Sequence, residues 1–236
     1  MGAVYLLTLR QTSGRWRLLI MTVLALLPLL ITRMVLGESA PPVSEFENVV
    51  LSAMLAGSIV PLVVLAIGAP AFANEIEDRT LANLVLSPVP RWQIALPKLL
   101  ATLTLAVPFI AASAFATAQL AFLGDMKASL AVTAAAVLGV ALYSAAFTWL
   151  GLVTTQAIGI GLLYVVLWEG FFAGFVPGVR LLSIRYQSLA LMQGLDARRF
   201  VGFENPSLAM VLVTSAVVFG GFLWLTVRRL RRMDVP

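Results

Sequence analysis

Ionisable side chains are scarce in this sequence, and two places among them could support chemistry. Glu169 lies inside a long apolar run, and a group of acidic and basic residues lies between positions 75 and 98. Because an ionised group is costly to bury in hydrocarbon, Glu169 is a candidate for contacting a substrate or carrying a proton. The sequence contains no Cys and no His. Disulfides, Cys/His zinc sites, haem ligation by these residues and a catalytic Ser–His pair are therefore excluded.

The composition indicates that lipid surrounds most of the chain. Of the 236 residues, 61% are hydrophobic and only 11% are charged, whereas a soluble domain carries about a quarter charged residues. The formal net charge is +5, with the basic residues mostly at the ends of apolar segments. That position is typical of charges that set membrane topology. We therefore expect membrane lipids, and not nucleic acid, as partners.

The apolar segments predict an all-α integral membrane protein built as a single transmembrane domain over residues 1–236. A span needs about 20 apolar residues, and six segments meet that length. Residues 3–16 mix apolar and polar positions and predict an interfacial helix ahead of the first span. The predicted spans are at about 18–36, 49–73, 99–123, 128–153, 157–176 and 207–227.

The basic residues predict that both termini are cytoplasmic and that the number of spans is even. Segment 74–98 then lies inside the cell and the acidic loop 37–48 lies outside. Segment 177–206 also falls outside, although its arginines argue against that side. A re-entrant segment that packs on protein between spans five and six resolves the conflict. The arginines concerned are Arg180, Arg185, Arg198 and Arg199.

Segment 74–98 is longer than a connection between two spans requires. Asn74 can cap a helix whose first turn holds acidic residues, which suit the positive end of a helix. The apolar positions that follow make the helix amphipathic, and Pro88 and Pro90 end it. The pattern predicts a short helix on the membrane surface that a soluble partner could push.

The same segment resembles the coupling-helix region of ABC-2-type permeases. The resemblance rests on the run E-x-x-D-R-T-L-x-x-L-x-x-x-P-x-P-R-W-x-x-x-x-x-K from Glu75 to Lys98. That family carries an acidic pair, a Gly or Arg before Thr-Leu, and then Pro, a basic residue and Lys. A second similarity lies at 167–170 and 179–191, where such permeases have a re-entrant segment.

The resemblance implies the membrane permease subunit of an ABC exporter in the inner (cytoplasmic) membrane. Two permease chains, alike or different, would form the pathway, and an ATPase dimer would bind beneath the coupling helices. The sequence has no G-x-x-x-x-G-K-[ST] phosphate loop. No enzyme activity and no cofactor are therefore expected of this chain, and ATP and Mg²⁺ would bind to the partner ATPase.

The resemblance also implies which residues couple the two subunits. We expect Glu75, Asp78 and Arg79 at the ATPase contact, with Thr80 in the same coupling segment. Arg91 belongs to that segment as well. Together with Lys98, it is expected to anchor the segment to lipid headgroups or to the interfacial helix.

Other interpretations remain open from the residues alone. Glu169 is an intramembrane polar residue that could instead pair with Arg180 or Arg185 and hold the re-entrant segment in place. The Leu86-Ser87-Pro88 run also occurs in the haem-exporter B subunit of cytochrome c maturation, although Pro90-Arg91-Trp92 fits that family less well. A non-transporting membrane scaffold and an intramembrane enzyme are further alternatives. The substrate is open.

Overall fold

The computed structural model describes residues 2–38, 46–78, 89–172, 180, 182–200 and 207–232. Every regular element in these ranges is a helix, which confirms the expected all-α class for them. The helices are α1 (Gly2–Thr12), α2 (Arg15–Glu38), α3 (Val49–Glu77), α4 (Trp92–Ala121), α5 (Met126–Val153), α6 (Ala157–Phe172), α7 (Ile184–Leu195) and α8 (Leu208–Arg231).

Five of the described helices are long and apolar enough to cross a membrane: α2, over Arg15–Val35, and then α3, α4, α5 and α8. Within the segment predicted as span five, the described residues form α6, made of seven α-helical and nine π-helical residues. At a rise of at most about 1.5 Å per residue, this described part is shorter than the hydrocarbon core of a bilayer, which is about 30 Å thick. The count of six spans therefore stays a prediction.

Helix α5 lies at the centre of the bundle and contacts α3, α4, α6, α7 and α8. Its sequence is rich in Ala and Gly, and small residues allow neighbouring backbones to approach closely within a membrane. The closest approach is at Gly151, where a Cβ atom would lie 2.1 Å from the carbonyl oxygen of Ala69 in α3. Larger side chains fill the remaining space, including the stacked rings of Tyr143 and Phe147, whose centroids are 5.5 Å apart.

The two ends of the bundle are built differently. At one end, the close of α3, the start of α4 and the close of α5 meet the last turn of α8 in an apolar group that we name the end cluster: Phe72, Ile94, Ala95, Leu152 and Leu230. At the other end, Phe122 follows α4 and makes edge-to-face contacts with Phe46 and Phe200. Helix α1 packs against α4, and the Tyr5 hydroxyl donates to Thr104 Oγ1 at 3.0 Å.

Helices α6 and α7 together follow the length of α5. Helix α6 begins just after the close of α5, and α7 ends at Leu195, beside the start of α5, where Asp196 pairs with Lys127. Midway between, Ser188 of α7 lies against Gly139 of α5. Most of α7 is buried, and Ser215 of α8 donates to the Gln187 side chain at 2.9 Å. This short, polar helix is therefore held by protein contacts on several sides.

Two stretches of the bundle are π-helical, at Glu47–Ile59 and Tyr164–Phe172, and they contact each other. A π-helix has one more residue between hydrogen-bonded groups than an α-helix and often occurs at functional sites. Ser52 lies in the first stretch and Glu169 in the second, and both side chains point to the start of α7. The two π-helical stretches thus supply polar contacts at the start of α7.

The boundaries on either side of the 74–98 segment differ from the sequence expectation. Asn74 does not cap a new helix, because α3 continues through it and its carbonyl accepts from the Asp78 N–H at 2.8 Å. Helix α4 begins at Trp92 instead of 99. The charged residues Glu75 and Lys98 therefore lie inside the two helices and not in the connection.

Replacing Gly151 by Ala is expected to destabilise the bundle by about 1–3 kcal/mol or more, because the new methyl group overlaps the Ala69 carbonyl. Thermal unfolding in detergent would measure the loss. Gly159→Ala is the matched control, because nothing lies within 4 Å of a Cβ atom there. Equal melting temperatures for the two variants would contradict the close contact between α3 and α5.

Candidate functional site

The predicted coupling residues fall partly within the described structure. Glu75 lies in the last turns of α3, Asp78 directly follows that helix, and Arg91 directly precedes α4. Arg79 and Thr80 lie outside the described residues. The described part of the site therefore consists of the end of α3 and the start of α4, which the connection joins.

Glu75 and Lys98 form a buried ion pair across α3 and α4. The Lys98 Nζ and Glu75 Oε1 atoms are 2.6 Å apart, and the two side chains are 0% and 5% exposed. The Lys98 ammonium also donates to the Ala71 carbonyl oxygen and lies 4.6 Å from the centroid of the Phe72 ring. A carboxylate, a carbonyl and an aromatic face thus surround the ammonium.

The pair explains why both helices extend beyond the expected boundaries. A single ion would be too costly to bury, but a paired and hydrogen-bonded one is tolerated. Lys98 was expected at the headgroups or on the interfacial helix, and the structure instead places it fully inside the protein. Its position fixes the start of α4 against the close of α3.

The residues nearest the connection are more accessible than the pair. Asp78 is exposed, and Arg91 is partly buried at the N-cap of α4, where its carbonyl accepts from the Ile94 and Ala95 N–H groups. The end cluster packs beside the pair, since Phe72 belongs to the cluster and its ring contacts Lys98. The buried Glu75–Lys98 pair thus lies beside an exposed carboxylate, that of Asp78.

Glu169 forms a second buried polar site, and it accepts hydrogen bonds from four donors. Its Oε1 accepts from the Tyr164 hydroxyl and the Ile184 N–H, each at 3.0 Å. Its Oε2 accepts from the Ser183 hydroxyl at 2.5 Å and from the Arg185 N–H at 3.4 Å. The carboxylate therefore caps the N-terminus of α7, where free N–H groups and the helix dipole favour a negative charge.

The arginines near Glu169 take different positions. The guanidinium of Arg185 donates to Ser52 Oγ at 2.7 Å and packs beside Gly57. Arg180 is half-buried, and its carbonyl accepts from the Ser183 N–H at 3.0 Å. Glu169 thus holds the start of α7, and the contact that it makes with Arg185 is to the backbone.

A third polar group, Asp125 with Arg199, lies at the start of α5 and connects the α4–α5 turn to the residues after α7. Arg199 Nη1 lies 2.6 Å from Asp125 Oδ2, and its guanidinium lies 4.6 Å from the centroid of the Phe122 ring. The hydrogen bond from the Ala128 N–H, together with Arg199, lowers the pKa of Asp125 below its ordinary value of 3.8. The carboxylate is ionised at neutral pH, and this contact weakens only as the pH falls below that value.

A family model described as ABC-2 family transporter protein matches residues 6–182. The chain belongs to the ABC-2 transporter family. The match begins within α1 and extends past α6, so that it includes the Glu75–Lys98 pair and Glu169. A comparison with curated proteins found no match. The expected family is thereby confirmed, and this ABC-2 protein is a multi-pass membrane protein.

Sequence reasoning on this ABC-2 protein missed the partnership of Glu75 with Lys98. The sequence pattern indicates different roles for the two residues, because each lies at the edge of an apolar segment. One signal was present: opposite charges flank the same connection, each within a helical turn or two of an apolar run. Opposite charges at two adjacent helix ends can be buried together.

Replacing Lys98 by Met is expected to destabilise the ABC-2 protein by about 3–5 kcal/mol, because Glu75 would remain buried without its cation. Chemical unfolding in mixed micelles would measure the change. The double variant E75Q/K98M is expected to recover most of the loss.

Lys127→Met is the matched control, since it breaks an ion pair whose lysine side chain is 64% exposed. Such a pair contributes at most about 1 kcal/mol. A double variant as unstable as K98M, or a K98M variant no less stable than K127M, would count against the buried pair.

Replacing Glu169 by Gln is expected to destabilise the start of α7 by about 1–3 kcal/mol. The amide NH₂ would face N–H and O–H groups whose hydrogen bonds the carboxylate accepts in the wild type. Hydrogen exchange followed by mass spectrometry should show faster exchange in peptides that cover 184–195. Ser215→Ala removes a different buried hydrogen bond of α7 and serves as the comparison. Exchange at 184 and 185 that is unchanged in E169Q would refute the capping role.

Proposed function

We propose that this ABC-2 protein is the transmembrane permease subunit of an ATP-driven exporter in the cytoplasmic membrane. Membership of the family supports the permease role. A separate ATPase subunit would bind ATP and Mg²⁺, since the sequence contains no phosphate loop. The observation that carries the proposal of coupling is the buried Glu75–Lys98 pair at the base of the 78–91 connection.

The pair suits a mechanical role because it joins the two ends of the connection. A force on residues 78–91 reaches α3 through Asp78 and α4 through Arg91. With the ends fixed to each other, both helices would move as one unit instead of separating. Helix α5 would follow, because its backbone contacts α3 at Gly151. ATP binding by the partner could in this way reorient the spans that line a pathway.

A second permease chain, identical or different, would complete the pathway. Support comes from the exposed apolar faces of α2 and α6, which require either lipid or protein cover. The residues concerned include Leu19, Val23, Leu26 and Leu30 of α2, and Leu163, Val166 and Phe171 of α6.

We place both termini in the cytoplasm. The close of α8 meets α3 and α4 in the end cluster, and α1 packs against α4. Both termini of the described chain therefore approach the same end of the bundle, as an even number of crossings requires. Arginines at 10, 15 and 17 and at 228, 229, 231 and 232 favour the cytoplasmic side for that end.

An even number follows if α6 and α7 share one crossing. The described part of α6, Ala157–Phe172, is shorter than a span, and α7 continues to the opposite end of α5. Glu169 joins the two pieces by capping α7. The re-entrant segment of the sequence prediction would then be the outer part of a discontinuous fifth crossing.

Co-purification tests the proposed coupling. The tagged chain is isolated from its native membranes, a bound ATPase is identified by mass spectrometry, and vanadate-sensitive ATP hydrolysis is assayed. Asp78→Ala and Arg79→Ala are expected to weaken retention of the ATPase about tenfold, as the loss of a contact worth about 1.4 kcal/mol would do. Glu75 is unsuitable for this test because its replacement is expected to destabilise the bundle.

Lys127→Ala is the control, because it changes a charge at the opposite end of the bundle. It should leave ATPase retention unchanged. Equal retention by wild type and by both loop variants would contradict the proposed coupling contact. A well-folded chain that retains no ATPase would contradict the permease role and favour a scaffold.

A further inference from the structure

The close of α8 presents an unusual density of positive charge. Arg228, Arg229, Arg231 and Arg232 are all exposed, while Leu230 between them is fully buried. No ion pair within the described residues involves any of the four arginines. Topology alone requires basic residues on this side but does not require four at one helix end.

The position of these arginines relative to the bilayer is indicated by Trp224, one helical turn before Arg228. Its ring is exposed on the apolar surface of α8, and the Arg228 guanidinium lies 4.9 Å from the ring centroid. Tryptophan on a lipid-facing helix is enriched at the level of the headgroups. The arginines beyond it would therefore lie among the lipid phosphates.

We infer that the end of α8, from Trp224 to Arg232, is a binding site for anionic phospholipid headgroups. A guanidinium binds a phosphate through two parallel hydrogen bonds, and several guanidinium groups that pair with no acid among the described residues attract net negative charge. A zwitterionic headgroup brings its own cation and is therefore bound less well. Each basic residue near an anionic leaflet adds to this attraction.

The site is connected to the base of the coupling segment. Leu230 lies between the arginines and packs in the end cluster with Phe72, Ile94 and Leu152. Phe72 in turn contacts Lys98. A headgroup that holds Arg229 and Arg231 at the surface therefore also holds Leu230 in the cluster. Bound anionic lipid would in this way stabilise the ends of α3 and α4. Its effect on transport rests on the proposed function, whereas lipid binding does not.

Quenching of Trp224 fluorescence tests lipid binding with the chain alone. In a variant whose other tryptophans (Trp16, Trp92, Trp149 and Trp168) are replaced by Phe, the fluorescence reports on the lipid beside α8. The protein is reconstituted in vesicles that contain brominated phosphatidylglycerol or, at the same mole fraction, brominated phosphatidylcholine. We expect the phosphatidylglycerol to bind about threefold to tenfold more strongly.

Replacing the four arginines by Gln should bring the ratio of binding constants close to one. Arg10→Gln/Arg15→Gln is the matched control, because it removes exposed charge elsewhere and should leave the ratio unchanged. A ratio near one in the parent protein, or a preference that survives the fourfold change, would overturn the inference. If the fourfold variant fails to fold, R229Q and R231Q separately should each lower the ratio.

Two further measurements use the protein with all its tryptophans. Native mass spectrometry of the wild-type chain should show retained phosphatidylglycerol that the Gln variants lose. Hydrogen exchange in peptides covering 72–78 and 92–98 should be slower in vesicles with phosphatidylglycerol than in pure phosphatidylcholine. If the arginines instead serve the ATPase, the Gln variants would lose that subunit while lipid retention stays at the wild-type level, and the inference fails. None of the lipid measurements depends on an ATPase, so their outcome is separate from that of the permease proposal.

Discussion

The arrangement of this bundle depends on one contact, the ion pair between Glu75 and Lys98. Neither charge could remain inside the protein alone, because desolvation of a single ion costs more than packing returns. Together they fix the close of α3 against the start of α4, with Lys98 Nζ 2.6 Å from Glu75 Oε1. The end cluster forms beside them and brings in α5 and α8. The relative positions of four long helices at this end therefore follow from two side chains.

The class and most of the spans were predictable from composition, because lipid selects long apolar helices and five of the six predicted segments form them. The helix ends were less predictable. A charge usually marks the edge of a span, but Glu75 and Lys98 compensate each other and let both helices continue. Glu169 was recognised from its apolar surroundings. Its donors could not be foreseen, because they include backbone N–H groups that only the fold brings to it. The role of Asp78, Arg79 and Thr80 stays a prediction.

Glu75 and Glu169 show two ways in which a bundle of this kind accommodates a buried carboxylate. Glu75 meets a cation from a neighbouring span, which links two long helices. Glu169 meets the free N–H groups at the start of α7, together with Ser183 and Tyr164. The first arrangement joins two continuous, antiparallel helices, and the second allows a helix to start inside the bundle. The partners of each carboxylate thus differ with the structure that it stabilises: a contact between two long helices for Glu75 and a helix N-terminus for Glu169.

The uncharged turn between α5 and α6 also bears on how the chain enters the membrane. Thr154, Thr155 and Gln156 carry no charge to hold this turn at either surface, and the described part of α6 is shorter than a full span. Apart from Glu169, helix α6 is largely apolar, and it packs closely on α3, with Gly161 against Leu65. During synthesis α5 and α6 would therefore leave the translocon as a hairpin. Tyr164 of α6 would already donate to Glu169, and the later arrival of α7 would supply the donors at Ser183, Ile184 and Arg185.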